Sequence, residues 1–172
     1  MPTFGYETQG LSNISIKDVR HGTVFTGVAG TLIFIHAALT AVTEGATSNK
    51  CAIYTYDGDL TNSLFGSTDP NVGSHSDGFQ VFIMNPSVVT AVTTYVLAAW
   101  SNVDTDTEKG SDFDNRLKFD IDASFIGVND AATYNGWDDP ITWDSSDFNK
   151  YSIFACVTVP TGVGWYGPDG YF

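Results

Sequence analysis

Basic side chains are scarce in this sequence: 7 Lys and Arg stand against 20 acids, for a formal net charge of −13 at pH 7. Phosphate backbones and anionic lipid surfaces are held by clustered Lys and Arg, so neither nucleic acid nor a membrane is an expected partner. Glutamate is scarce as well, with 17 Asp among the acids and only 3 Glu. The short Asp side chain bonds its own backbone in turns and disfavours helix interiors, which places the acids in loops. Cysteine is limited to Cys51 and Cys156, without a Cys-x-x-Cys pair or a neighbouring His pair, and this argues against zinc. Both lie in apolar runs, where buried free thiols are the expectation and a bond between the two strands is the alternative. No apolar run approaches the roughly 20 residues of a spanning helix. The start, Met-Pro-Thr-Phe-Gly-Tyr-Glu, lacks the basic and apolar stretches of a secretory signal.

What is abundant is apolar and turn-forming. Hydrophobic content of 42% with 17 Gly describes a folded, turn-rich chain, and 172 residues suffice for one domain with a real core. Residues 94–100, Thr-Tyr-Val-Leu-Ala-Ala-Trp, sit in a stretch without charge from Ser87 to Val103 and read as a central strand buried on both faces. Residues 116–122 alternate, with Leu117, Phe119 and Ile121 on one side and Arg116, Lys118, Asp120 and Asp122 on the other, as a half-solvated strand does. Further strands are expected at 11–19, 23–26, 31–39, 50–56, 79–84 and 151–159, with His21 at a turn and long loops at 57–78, 102–115 and 129–149. No amphipathic helix stands out. The expected fold is all-β: a single domain built as a jelly-roll-like antiparallel β-sandwich, because the connections are too long and uneven for a hairpin meander.

The order Gly22-Thr-Val-Phe-Thr, Gly30-Thr-Leu-Ile-Phe-Ile, Ala52-Ile-Tyr and Thr93-Thr-Tyr-Val-Leu-Ala resembles the jelly-roll modules of bacterial and archaeal surface proteins, which are related to carbohydrate-binding sandwiches. The resemblance covers residues 10–103. It implies a sandwich fold and no shared ligand site, so no residue role is carried across.

Several motifs bear on chemistry. Ser74-His75-Ser76-Asp77 holds three triad residue types, but a triad needs them converging from rigid elements, and a polar loop is the expectation. Gly162-Val-Gly-Trp-Tyr-Gly167 matches a dinucleotide fingerprint in letters only, since Pro168 and the last residue, Phe172, leave no helix for the phosphate. Asp104, Asp106, Glu108 and Asp112 alternate as calcium ligands can, with a solvated acidic loop as the other reading. Tyr134, Trp137 and Trp143 beside Asp139 are the residue types that stack on and hydrogen-bond a sugar. The same aromatics also anchor loops and protein interfaces.

Two functions are weighed, and neither is an enzyme. The first is a structural protein of an assembly, a phage or virus particle component such as a capsid-decorating or tail-associated subunit, forming a homo-oligomer through Phe4, Tyr6, Trp165, Tyr166, Tyr171 and Phe172. This implies a location in a virion or on an extracellular surface, with protein partners and no cofactor beyond a structural calcium ion. The alternative is a carbohydrate-binding module whose glycan rests on the Tyr134, Trp137 and Trp143 loop.

Overall fold

The computed structural model describes residues 1–41, 48–73, 75–102, 116–132 and 136–159. In chain order the strands are β1 (Thr3–Gly5), β2 (Ser12–Ser15), β3 (Val19–Thr26), β4 (Gly30–Leu39), β5 (Ser48–Thr55), β6 (Thr61–Asn62), β7 (Leu64–Ser67) and β8 (Asn71–Val72). They continue as β9 (Gly78–Val89), β10 (Thr94–Ser101), β11 (Arg116–Ile121), β12 (Gly127–Ala131), β13 (Ile141–Thr142), β14 (Ser145–Asp147), β15 (Asn149–Tyr151) and β16 (Ile153–Thr158). One sheet runs β1-β16-β4-β11-β15, with β9 beside β4 and β2 beside β11; the other runs β14-β12-β3-β10-β5-β7, with β8 beside β5. Strands β6 and β13 form a separate ribbon. The strand pairs are antiparallel and their neighbours mostly distant in sequence, so this is the expected all-β sandwich rather than a meander.

Side-chain alternation on β10 organises the core. Tyr95, Leu97 and Ala99 point between the sheets, where they meet Ile35, Phe82, Ile153 and Val157 of the first sheet. Val96 and Ala98 point the other way, under Val128, Ile141 and Trp143. Every residue of β10 after Thr94 is buried, as the uncharged run implies. Cys51 and Cys156 are free and buried, and burial pushes both thiols up, Cys51 well up.

The structure departs from the expectation at several points. Residues 57–78 contain β6, β7 and β8, and residues 129–149 hold most of β12 and all of β13 and β14, because polar turn-rich segments take up sheet edges that composition does not reveal. Strand β9 passes through Asn85-Pro86 and ends only at Val89; its register against β4 shifts between Leu32 and Phe34, and the proline, which has no N–H to pair, sits in that irregularity. His21 lies within β3 and is 4% exposed rather than at a turn. On β11, Leu117 is buried and Phe119 packs on the core, yet Ile121, opposite Asn149 on the last rung of β15, is 77% exposed. Alternation assigns a face, and cover comes from whatever lies over it.

Leu97→Ala should cost about 2–5 kcal/mol, because the cavity forms between two sheets that cannot collapse onto it. Urea unfolding measures this, and a loss below about 1 kcal/mol would contradict the packing described.

Candidate functional site

Strand register builds a polar row across the outer side of the second sheet. Asp130 of β12 stands opposite Arg20 of β3, and Trp100 of β10 opposite Lys50 of β5. The Arg20 guanidinium lies 4.2 Å and the Lys50 ammonium 4.4 Å from the centre of the Trp100 ring. Arg20 Nη1 also reaches Asp130 at 2.9 Å and Asp138 at 2.6 Å. The Trp137 ring packs 5.3 Å from that of Trp100, and the Tyr54 hydroxyl donates to the Asp138 carbonyl at 3.2 Å. Two buried cations are costly unless paired, and the carboxylates and indole faces offset that cost. Burial lowers Lys50 to about 8, with the nearby Arg20 charge adding to the effect and Asp138 opposing it. This cluster straps the segment around Trp137 to the sheet. Its sequence signal was a base inside each of two otherwise buried strands, Val19-Arg-His-Gly and Asn-Lys-Cys-Ala-Ile.

The aromatic residues expected to receive a sugar are engaged in this packing. Trp143 is 1% exposed, its Nε1 donates to Asn62 Oδ1 at 2.9 Å, and its ring stands edge-on to Tyr54. Trp137 is half-buried between Trp100 and Tyr54. Asp139 Oδ1 accepts the Leu64 amide at 3.0 Å, holding the segment to β7. Neither indole is laid open as a stacking platform; Tyr134 lies outside the described residues, as do Asp104, Asp106, Glu108 and Asp112.

The remaining candidates separate in the same way. Asp77 accepts from Lys118 Nζ at 2.6 Å and Gln9 Nε2 at 3.1 Å, whereas His75 Nδ1 meets the Ser76 carbonyl; Ser74 lies outside the described residues. Phe4, expected at an interface, is 5% exposed and packs 6.0 Å from Tyr95, because β1 pairs with β16 and turns Phe4 inward. Gly5 follows it at φ 122°, where a Cβ would lie 2.4 Å from the Ile153 carbonyl oxygen, so only glycine lets β1 approach β16 this closely. Tyr6 donates its hydroxyl to Asp120 at 2.5 Å and lies under the Lys150 ammonium. Trp165, Tyr166, Tyr171 and Phe172 lie outside the described residues.

A second polar group missed by the sequence reading sits between the sheets. His21 Nδ1 is 2.9 Å from the Tyr151 hydroxyl, which donates to Asp147 at 3.3 Å. Burial lowers His21 to about 4, against a smaller upward pull from Asp147.

The outer side of the first sheet is different in kind. Register aligns Phe79, Val81 and Ile83 of β9 with Ala38, His36 and Phe34 of β4, and His36 and Phe34 with Phe154 and Cys156 of β16. Their rings form a ladder: Phe79 lies 5.1 Å from Phe154, Phe154 stacks on His36 at 4.5 Å and 5°, and His36 meets Phe34 edge-on. Val81 is 49% and Ile83 73% exposed beside it. None of β4, β9 or β16 contains a charged residue. His36 is half-buried in the middle of this face.

Fold and face together define an all-β sandwich with one apolar sheet surface left exposed among the described residues. No protein-family model, curated protein or solved structure matches the chain.

Two outcomes test these networks. Arg20→Met should cost about 3–5 kcal/mol, since it strands Asp130 in a poorly hydrated site, and should shift tryptophan emission to the red as Trp137 loosens. An unchanged urea midpoint would show that the strap is dispensable. Because the fold holds His21 neutral down to about 4 against an ordinary 6.5, the unfolded chain takes up this proton first. The His21 contribution is therefore complete above the ordinary value and lost as pH falls towards 4, amounting to about 3 kcal/mol. Urea midpoints from pH 7 to 4 should fall less steeply in His21→Gln than in the parent; parallel slopes would refute the assignment.

Proposed function

We propose that this protein is a non-enzymatic structural subunit that joins an assembly by docking the outer face of its first sheet onto a second copy of itself. The observation that carries this reading is the uncharged aromatic face of β4, β9 and β16 in a chain of net charge −13. Sheets apolar on both sides belong under cover, and an exposed patch of this sort marks an interaction surface. Charge limits a like partner to this face, because two strongly acidic copies repel unless they meet where neither carries a carboxylate. The setting suggested by the sequence, a phage or virus particle with this chain as a capsid-decorating or tail-associated subunit, suits a protein that binds its neighbours while repelling nucleic acid. The carbohydrate-binding alternative draws no support from the described residues, where Trp137 and Trp143 serve packing.

Light scattering of the pure chain should give a mass above the monomer that rises with concentration. The double variant Val81→Asp/Ile83→Asp should be monomeric with an unchanged melting temperature, since both side chains are exposed. A parent chain that is monomeric at every concentration, or a double variant that still associates, would overturn the proposal.

A further inference from the structure

We infer that residues 160–172 of one copy seat their aromatic side chains in an apolar pocket of a second copy, so that the assembly is fastened by exchanged C-terminal arms. This inference rests on the assembly reading above and names the partner segment. The pocket, about 380 Å3, lies at one end of the same three strands that form the uncharged face. Its walls include Gly30 and Thr31 from the start of β4, Val88 from the end of β9, Thr90 and Ala91 from the turn beyond, and Val159. The turn is held in place: the Thr90 amide donates to the hydroxyl of buried Tyr95 at 3.2 Å, and the Thr90 and Thr93 hydroxyls are 2.6 Å apart. A socket fixed in this way needs little reorganisation to accept an apolar group. In the same turn, Val92 is 87% exposed at φ 62°, a left-handed conformation unfavourable for a β-branched residue and of the kind found at binding sites.

The occupant is indicated by where the described chain ends. Val159 is itself a wall of the pocket, and the next residues are Pro160-Thr-Gly-Val-Gly-Trp165-Tyr166, with Tyr171 and Phe172 further on. This segment of four aromatics and a single charge, Asp169, has the chemistry an uncharged pocket accepts. Direction favours exchange over return. Thr158 pairs with Thr31 at the start of antiparallel β4, so β16 runs outward at the end of the sheet where the pocket lies. A proline at 160 biases Val159 away from the helical region and towards an extended conformation. Exchanging one identical element between copies adds an interface at little cost in new structure.

The test uses the full chain, a chain ending at Val159 that keeps every described strand, and a fluorescein-labelled peptide of residues 160–172. Truncation should weaken association at least about tenfold by sedimentation. The peptide should bind the truncated chain saturably and, in excess, dissociate the full chain. Val88→Asp, at a position 70% exposed and so harmless to folding, should abolish peptide binding. Absence of peptide binding, binding indifferent to Val88→Asp, or undiminished association of the truncated chain would overturn the arm while leaving the face standing. A full chain that stays monomeric and melts lower on truncation would show the segment seated in its own copy, which overturns the exchange. Loss of association in Val81→Asp/Ile83→Asp reports on the face alone.

Discussion

A pleated strand presents side chains to two faces, and the behaviour of this molecule follows from how many of those faces its own chain covers. For β10 the answer is both. Leu97 and Tyr95 are closed over by the first sheet, and Val96 and Ala98 by Trp143 and Ile141. For β4, β9 and β16 the inner side is closed in the same way, while the outer side, equally free of charge, ends in Ile83 and Val81 facing solvent. The hydrophobic effect makes no distinction between the two sides. Among the described residues that outer side keeps Val81 and Ile83 exposed, and the proposed docking is the reading that gives them a cover.

Electrostatics reinforces that reading. Part of the Asp-rich composition is used at turns: Asp59, Asp122 and Asp147 each accept the backbone amide two residues on, from Thr61, Ser124 and Asn149. Each of these contacts fixes a loop and leaves a negative charge near the surface. Repulsion between copies is therefore general, except across the three uncharged strands. In the proposed assembly the excess of acid, which by itself opposes association, confines it to one surface.

Buried polar groups do a different job. Arg20 with Asp130 and Asp138, and His21 with Tyr151 and Asp147, join strands far apart in sequence. Their net contribution to stability is small beside the penalty of breaking them, so they act to make alternative registers costly. A one-residue slip of β3 against β10 would turn Arg20 into the hydrophobic core and His21 out of it.

The sequence by itself determined the fold class, the central strand, the turn chemistry of the acids and the uncharged character of β4 and β16. These depend on local periodicity and composition, which the backbone reads residue by residue. Tertiary structure decided the rest. Phe4 was expected at an interface and Ile121 on a core side, yet Phe4 is buried against Tyr95 and Ile121 is bare, because cover is supplied by segments remote in the chain. Trp143 had the right chemistry for a sugar and became a core residue because Asn62, 81 positions away, takes its indole N–H. The outer face of the first sheet was hidden for the same reason: a continuous apolar run says that both sides of a strand seek burial, and only the assembled sheets show which side stays exposed among the described residues.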